Sequence, residues 1–380
     1  MKRNVKYILT AVLFIFVIFC PFISMADENT DYRNQIENFD LSSFELLDND
    51  TKQLLEDLGI DDFNYENLSS ISLNDIVNYI SSLFLKNSSG PIKSCIVIIC
   101  FIILSSVVKS FDFRLSNDSV SDMYSTVTNL VIAVFLTNQL YSSLKLACST
   151  IKLCADFTYA FFPAFCIICA SSGGAITSFS VNASLLVLSQ ALNFISANVF
   201  LPVVNCFMGI GICSSIRKDL NLSSVVSAFK SLITKAISTL SALFVSFLSL
   251  KTAVASRADA IGLRSVRFAI NSVVPIIGSS ISEGLLSIQS YSSLVKTGVG
   301  IVGIITVCAI FLPAIVTMTV WRISIAVSNI FSRVFFNNES GCVLDAFGNV
   351  LLIVNVLLIL SMVTTIISLG ILVASKTVSV

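Results

Sequence analysis

Arg257, Arg264 and Arg267 are separated by seven and ten residues from the first, a spacing that gathers them on one side of a helix with Asp259 on the other. A row of guanidinium groups binds anions, either the phosphates of a lipid surface or the carboxylates of a protein. Further along the same segment, Pro275, Gly278, Glu283 and Gly284 interrupt an otherwise apolar stretch. A carboxylate at membrane depth needs protein or water around it and a cationic partner, and one of the three arginines is the natural candidate. The chemistry on offer is therefore ion pairing and anion binding. Histidine is absent from the chain, which removes the commonest general base and the commonest metal ligand.

Other spellings carry less. Gly298-Val299-Gly300-Ile301-Val302-Gly303 matches a dinucleotide-binding GxGxxG, but such a site opens a soluble helix after a strand and needs an acid about 20 residues on. Here the run opens an apolar stretch and the next acid is Glu339, so the glycines read as close-packing positions between helices. Cys166 and Cys169 form a CxxC with no basic residue near to favour a thiolate, and the 11 cysteines read as small apolar fillers. Ser171-Ser172-Gly173-Gly174-Ala175 interrupts a span. Gly173 and Gly174 are candidate pore residues on that account, or a close-packing contact.

The elements that must position these residues follow from composition. Of 380 residues 55% are apolar and 12% charged, half the charge of an average soluble domain, with mean hydropathy +0.90. A membrane protein is expected, and 23 basic against 23 acidic residues gives no excess of positive charge to bind nucleic acid. Charge is sorted along the chain. Residues 1–26 carry Lys2, Arg3 and Lys6 ahead of the apolar run Ile8–Phe19 and small residues before a cut at Ala26, the pattern of a cleaved signal peptide. Residues 27–91 form an acidic segment, expected to be extracytoplasmic, with no cysteine to staple it. Within it Asp50 is expected to cap a short helix that ends at Gly59. Ser72 and Asp75 make a capping box for a second helix, with its apolar stripe on Leu73, Ile76, Val77, Ile80, Leu83 and Phe84, and Gly90-Pro91 is expected to end it.

Residues 92–380 read as the polytopic region, with spans near 92–108, 123–144, 155–178, 181–213, 225–250, 294–320 and 343–374. Pro163, Pro202, Pro275 and Pro313 lie in apolar stretches and must face other helices or a wet cavity. The expected fold class is thus all-α, a polytopic bundle of about six or seven spans behind a short extracytoplasmic helical segment. A seven-span count starting outside puts Lys376 inside. It places seven Lys and Arg inside and eight outside, so the positive-inside rule does not support it and one span is miscounted or re-entrant.

Residues 251–315 resemble the stage III sporulation protein AE family. The likeness rests on Ala258-Asp259, Arg267-Phe268, Val274-Pro275-x-x-Gly278, Ser282-Glu283, Lys296 before Gly300, and Pro313. Arg267 stands where lysine is expected, an exchange of one cation for another. The resemblance implies a non-enzymatic, multi-pass protein of the mother-cell membrane around the engulfed forespore. It implies partners among the stage III sporulation proteins AA to AH and, through that complex, stage II sporulation protein Q, in an assembly like a secretion channel. It brings no catalytic motif, cofactor or metal. The other reading of the broken helices at Ser171–Ala175 and Pro275–Gly284 is a secondary transporter with a substrate site between them.

Overall fold

The structure, a computed structural model, describes residues 45–57, 73–112, 118–171, 278–335 and 338–374, with short pieces between 184 and 253. Its elements are helices: α1 (Asn49–Asp57), α2 (Leu73–Asp112), α3 (Asp118–Ser171), α4 (Gly278–Val334) and α5 (Asn338–Ala374). Among the described residues four stretches are long and apolar enough to cross a membrane, Ile80–Val108, Thr126–Ala170, Lys296–Val334 and Ser340–Gly370. The proposed signal peptide lies outside the described residues, as does most of the expected span 181–213; the expected span 225–250 meets a shorter apolar helix, Ser231–Phe247, whose Ile233 and Phe244 are buried in the core.

Three local expectations change. The cap of α1 is Asp48 rather than Asp50: its Oδ1 accepts from the Thr51 backbone N–H at 3.3 Å, the bond an N-cap side chain makes three residues into the helix. Helix α2 begins at Leu73 as the capping pattern requires, but it runs straight through Gly90 and Pro91 and so across the boundary drawn between residues 91 and 92. Proline forfeits one backbone hydrogen bond. Pro91 is buried, and the apolar residues on both sides of it hold the helix to the bundle.

The third change is larger. The spans expected at 123–144 and 155–178 are joined in α3, one helix of 54 residues. The residues between them, KLACSTIKLC, contain neither glycine nor proline, and lysine is a good helix former. Charge interrupts the hydropathy there without interrupting the helix. Pro163 likewise sits inside α3 and Pro313 inside α4.

Direction follows from cross-helix bonds. Ser106 of α2 donates to the Phe335 carbonyl at the α4–α5 turn (3.0 Å), and Ser328 of α4 lies 3.3 Å from the Cys95 sulfur, so α2 and α4 are parallel and both run toward that turn. Ser340 of α5 donates to Asn129 Oδ1 of α3 (2.5 Å), and Cys154 lies 3.8 Å from Thr365 Oγ1, so α3 and α5 run together away from it. The core between them is fully buried aromatic and aliphatic surface, with Phe157, Phe161, Phe162, Phe165, Phe311 and Phe347 its largest members. Leu47 and Leu55 tie α1 to the same core.

In this bundle the chain enters α2 and leaves α5 at the same end, the end opposite the α4–α5 turn. The seven-span count had placed the two on opposite faces; joining two spans in α3 removes one crossing and brings them to one face. Reporter domains inserted ahead of Leu73 and fused after Ala374 are therefore expected to report the same compartment. Opposite compartments would contradict the arrangement.

Candidate functional site

Of the residues singled out by sequence, Gly173, Gly174, Arg257, Asp259, Arg264, Arg267 and Pro275 lie outside the described residues. Gly278 is the first residue of α4 and Glu283 follows in its second turn. From Gly278 onward the stretch read as broken is continuous helix. Glu283 sits 13 residues, about 20 Å of helix, ahead of Lys296, where the apolar span of α4 starts.

Lys296 is the residue that sequence reasoning underrated. It is 2% exposed, a cation held inside the bundle, and it takes part in a polar interaction there. Lysine is almost never this deeply buried unless its ammonium group is engaged, because desolvating the charge is costly. Its only sequence signal is a single charge at the mouth of a long apolar run.

One and two turns further along α4, the glycines of the GxGxxG spelling meet α3. A side chain at Gly303 would sit 2.7 Å from the Phe161 ring, and one at Gly300 would collide with Val373 of α5 and come within 3.0 Å of Phe165. The rings that fill this space are ordered among themselves. Phe157 stacks on Phe161 with centroids 5.1 Å apart, and Phe161 on Phe165 at 5.5 Å. Helical spacing of four residues creates that ladder, and offset stacking adds about 0.5–1.5 kcal/mol per pair beyond burial. The pairs Phe161·Gly303 and Phe165·Gly300 run antiparallel; continued by four residues, this register puts Lys296 level with Cys169, at the end of α3 from which Ser171–Ala175 departs.

Ser105 Oγ and the Oδ1 atoms of Asn329 and Asn355 are buried without a hydrogen-bond partner among the described residues; most other polar side chains inside the bundle fall into two kinds. Thr158, Thr306, Thr364 and Ser368 each donate to the carbonyl four residues back in their own helix, at 2.6–3.0 Å, which satisfies the hydroxyl without a partner helix or water. A second set links helices. Asn355 of α5 donates to Thr319 Oγ1 of α4 (3.2 Å). At the α4–α5 turn, Asp345 accepts from Asn329 (2.6 Å) and from Arg333 (3.3 Å), an ion pair with side chains 68% and 54% exposed. An exposed pair of this sort contributes about 0–1 kcal/mol, so it registers the hairpin rather than holding it.

Cys166 and Cys169 are buried against this core and carry no disulfide. Among the described residues no three His, Cys, Asp or Glu side chains gather closely enough to hold a metal.

The model of the stage III sporulation protein AE family matches residues 59–376. The chain belongs to that family. It is similar to the Stage III sporulation protein AE of Bacillus subtilis (strain 168), 23% identical over 198 residues, which are 52% of this chain and 50% of that relative. The matched stretch thus spans half the length of the curated relative. No solved structure matches. The family match takes in both the Gly300–Gly303 contact and Lys296, the two features around which the described helices of this sporulation protein are organised.

Two outcomes are expected. Gly303→Val forces a branched side chain against Phe161 and should lower stability in detergent by about 1–3 kcal/mol, with partial recovery when Phe161→Ala is added; loss without recovery would place the strain elsewhere. Lys296→Met keeps the apolar stem and removes the charged group that makes its buried interaction, at a cost of about 1–3 kcal/mol. It should reduce spore yield at unchanged membrane levels, whereas Lys235→Met, at an exposed position, should not.

Proposed function

We propose that the chain is a non-enzymatic, membrane-embedded component of the channel complex, similar to a secretion apparatus, that links the mother cell with the engulfed forespore. In this reading it lies in the mother-cell membrane and assembles with other stage III sporulation proteins and, through them, with stage II sporulation protein Q. The family match over residues 59–376 carries the proposal. Four long apolar helices support a membrane role, and the way their interior is filled supports a structural part in an assembly. A carrier needs polar groups left open to a substrate at mid-membrane. In the half of the bundle beside the α4–α5 turn, the hydroxyls of Thr137 and Ser328 are bonded to carbonyls of their own helices, and in the other half phenyl rings close the space between α3 and α4.

The test is deletion of the gene, scored for sporulation and for growth. Arrest after engulfment, with loss of late forespore gene expression and normal vegetative growth, is the expected result. Normal spore yield with a growth defect on one nutrient would replace this reading by a transporter.

A further inference from the structure

Helix α3 carries an apolar stretch of 45 residues, Thr126–Ala170, about 67 Å long, against a hydrocarbon core of about 30 Å. It cannot lie in lipid along its whole length unless it lies nearly flat, which its packing against α4 and α5 forbids. Exposed apolar side chains occur in both halves, Leu85 at 72% and Ile167 at 63% among those far from the α4–α5 turn, and the placement of charge marks the part that meets lipid. Near the α4–α5 turn the outward faces of three helices are aliphatic: Ile96 and Leu104 on α2, Val127 and Val134 on α3, Ile323 and Val334 on α4, from 49% exposed for Ile323 to 62% for Val334. No charged residue occurs in 94–108, 126–144 or 323–332.

Charges bound this belt on both sides. At the turn stands the exposed Arg333–Asp345 pair. On the other side α2, α3 and α4 each present one cation at nearly the same height. Lys93 lies 13 residues from Ser106 on α2, Arg322 lies 13 residues before Phe335 on α4, and Lys145 lies 16 residues beyond Asn129 on α3. Since Ser106 meets Phe335 and Asn129 meets Ser340 at the turn, all three stand about 20–24 Å from it. Lys93 and Lys145 are exposed and Arg322 half-buried. Long cationic side chains reach several ångströms further to headgroup phosphates, which brings the belt to the thickness of a bilayer core. Tyr141, 68% exposed and one turn short of Lys145, has the amphipathic character of an interfacial ring. Beyond it the exposed face of α3 carries Lys152 and Asp156, which hydrocarbon would not accept.

We propose that the bilayer encircles only the half of this bundle next to the α4–α5 turn, that Lys93, Lys145 and Arg322 form a collar binding the phosphates of one leaflet, and that the half from Lys145 to Ala170 projects beyond the headgroups. The projecting half holds the buried Lys296 and the end at which the chain enters α2 and leaves α5, so a partner on that side meets protein rather than lipid.

The chain has one tryptophan, which makes the test direct. In a Trp321→Phe background, single tryptophans at Val134, Tyr141 and Ile167 are placed in vesicles of phosphatidylglycerol and phosphatidylcholine brominated either near the chain ends or near the ester. All three positions are exposed, so the probes leave the core intact. Val134→Trp should be quenched by chain-end bromines at least about threefold more than Ile167→Trp, given the depth of a hydrocarbon core. Tyr141→Trp should respond best to bromines near the ester. Equal quenching at Val134 and Ile167, or quenching of Val134→Trp by aqueous iodide, overturns the placement. If Trp321→Phe fails to insert, photocrosslinking residues at the same positions in the native chain give the same comparison, with lipid adducts expected at 134 and not at 167. For the collar, Lys93→Glu with Lys145→Glu should lower the phosphatidylglycerol that co-purifies, while unchanged lipid would overturn it.

Discussion

Two phenyl rings of α3 occupy the space that side chains at Gly300 and Gly303 of α4 would fill, and the rest of the bundle is arranged around that approach. Phe161 and Phe165 can reach the α4 backbone only because the glycines have no Cβ there. Val373 and Leu369 close the same contact from α5. Burial of apolar surface is indifferent to a slip of one turn; close van der Waals fit is what separates the right pairing from a slipped one. A ladder of stacked rings laid over two glycines four and three residues apart from their neighbours is such a fit, and it sets the antiparallel register of α3 with α4.

That register has a consequence for polarity inside the bundle. With α3 and α4 locked at Phe161 and Phe165, the α4–α5 hairpin places Asn355 against Thr319 and Asp345 against Asn329 and Arg333, and α3 places Asn129 against Ser340. These links are few, and each joins a different pair of levels. A slip by one turn would break several at once, leaving amide groups buried without partners at about 1–3 kcal/mol each. Most of the remaining hydroxyls are indifferent to register because they bond within their own helix. The few cross-helix links therefore carry the specificity of the interior, in which Ser105 Oγ and the Oδ1 atoms of Asn329 and Asn355 alone among the described residues are buried without a partner.

Membership of a sporulation family and a stiff bundle longer than a bilayer is thick fit together. Helices α3 and α4, about 80–85 Å each, supply length that a simple anchor does not require. Lys296 lies in the distal part of that length. At 2% exposed it is covered by the surrounding protein there.

Much of this was legible from residues alone. Low charge and long apolar runs determine a helical membrane protein, because a backbone in lipid must bond within its own segment. Ser72 and Asp75 mark the start of α2, and glycine spacing in 298–303 marks a close helix contact rather than a nucleotide site. The motif residues around Pro275 and Gly278 led to the right family. What only the tertiary structure decided were continuity, direction and depth. Hydropathy cannot distinguish a loop from a helix whose outward face turns charged, so Lys145, Lys152 and Asp156 looked like the end of one span and the start of another. Pro91 looked like a stop because local rules score the lost hydrogen bond and not the packing that offsets it. The burial of Lys296 was hidden for the same reason: a single lysine beside an apolar run reads as a membrane edge, and only the helices packed against it reveal that the charge lies inside.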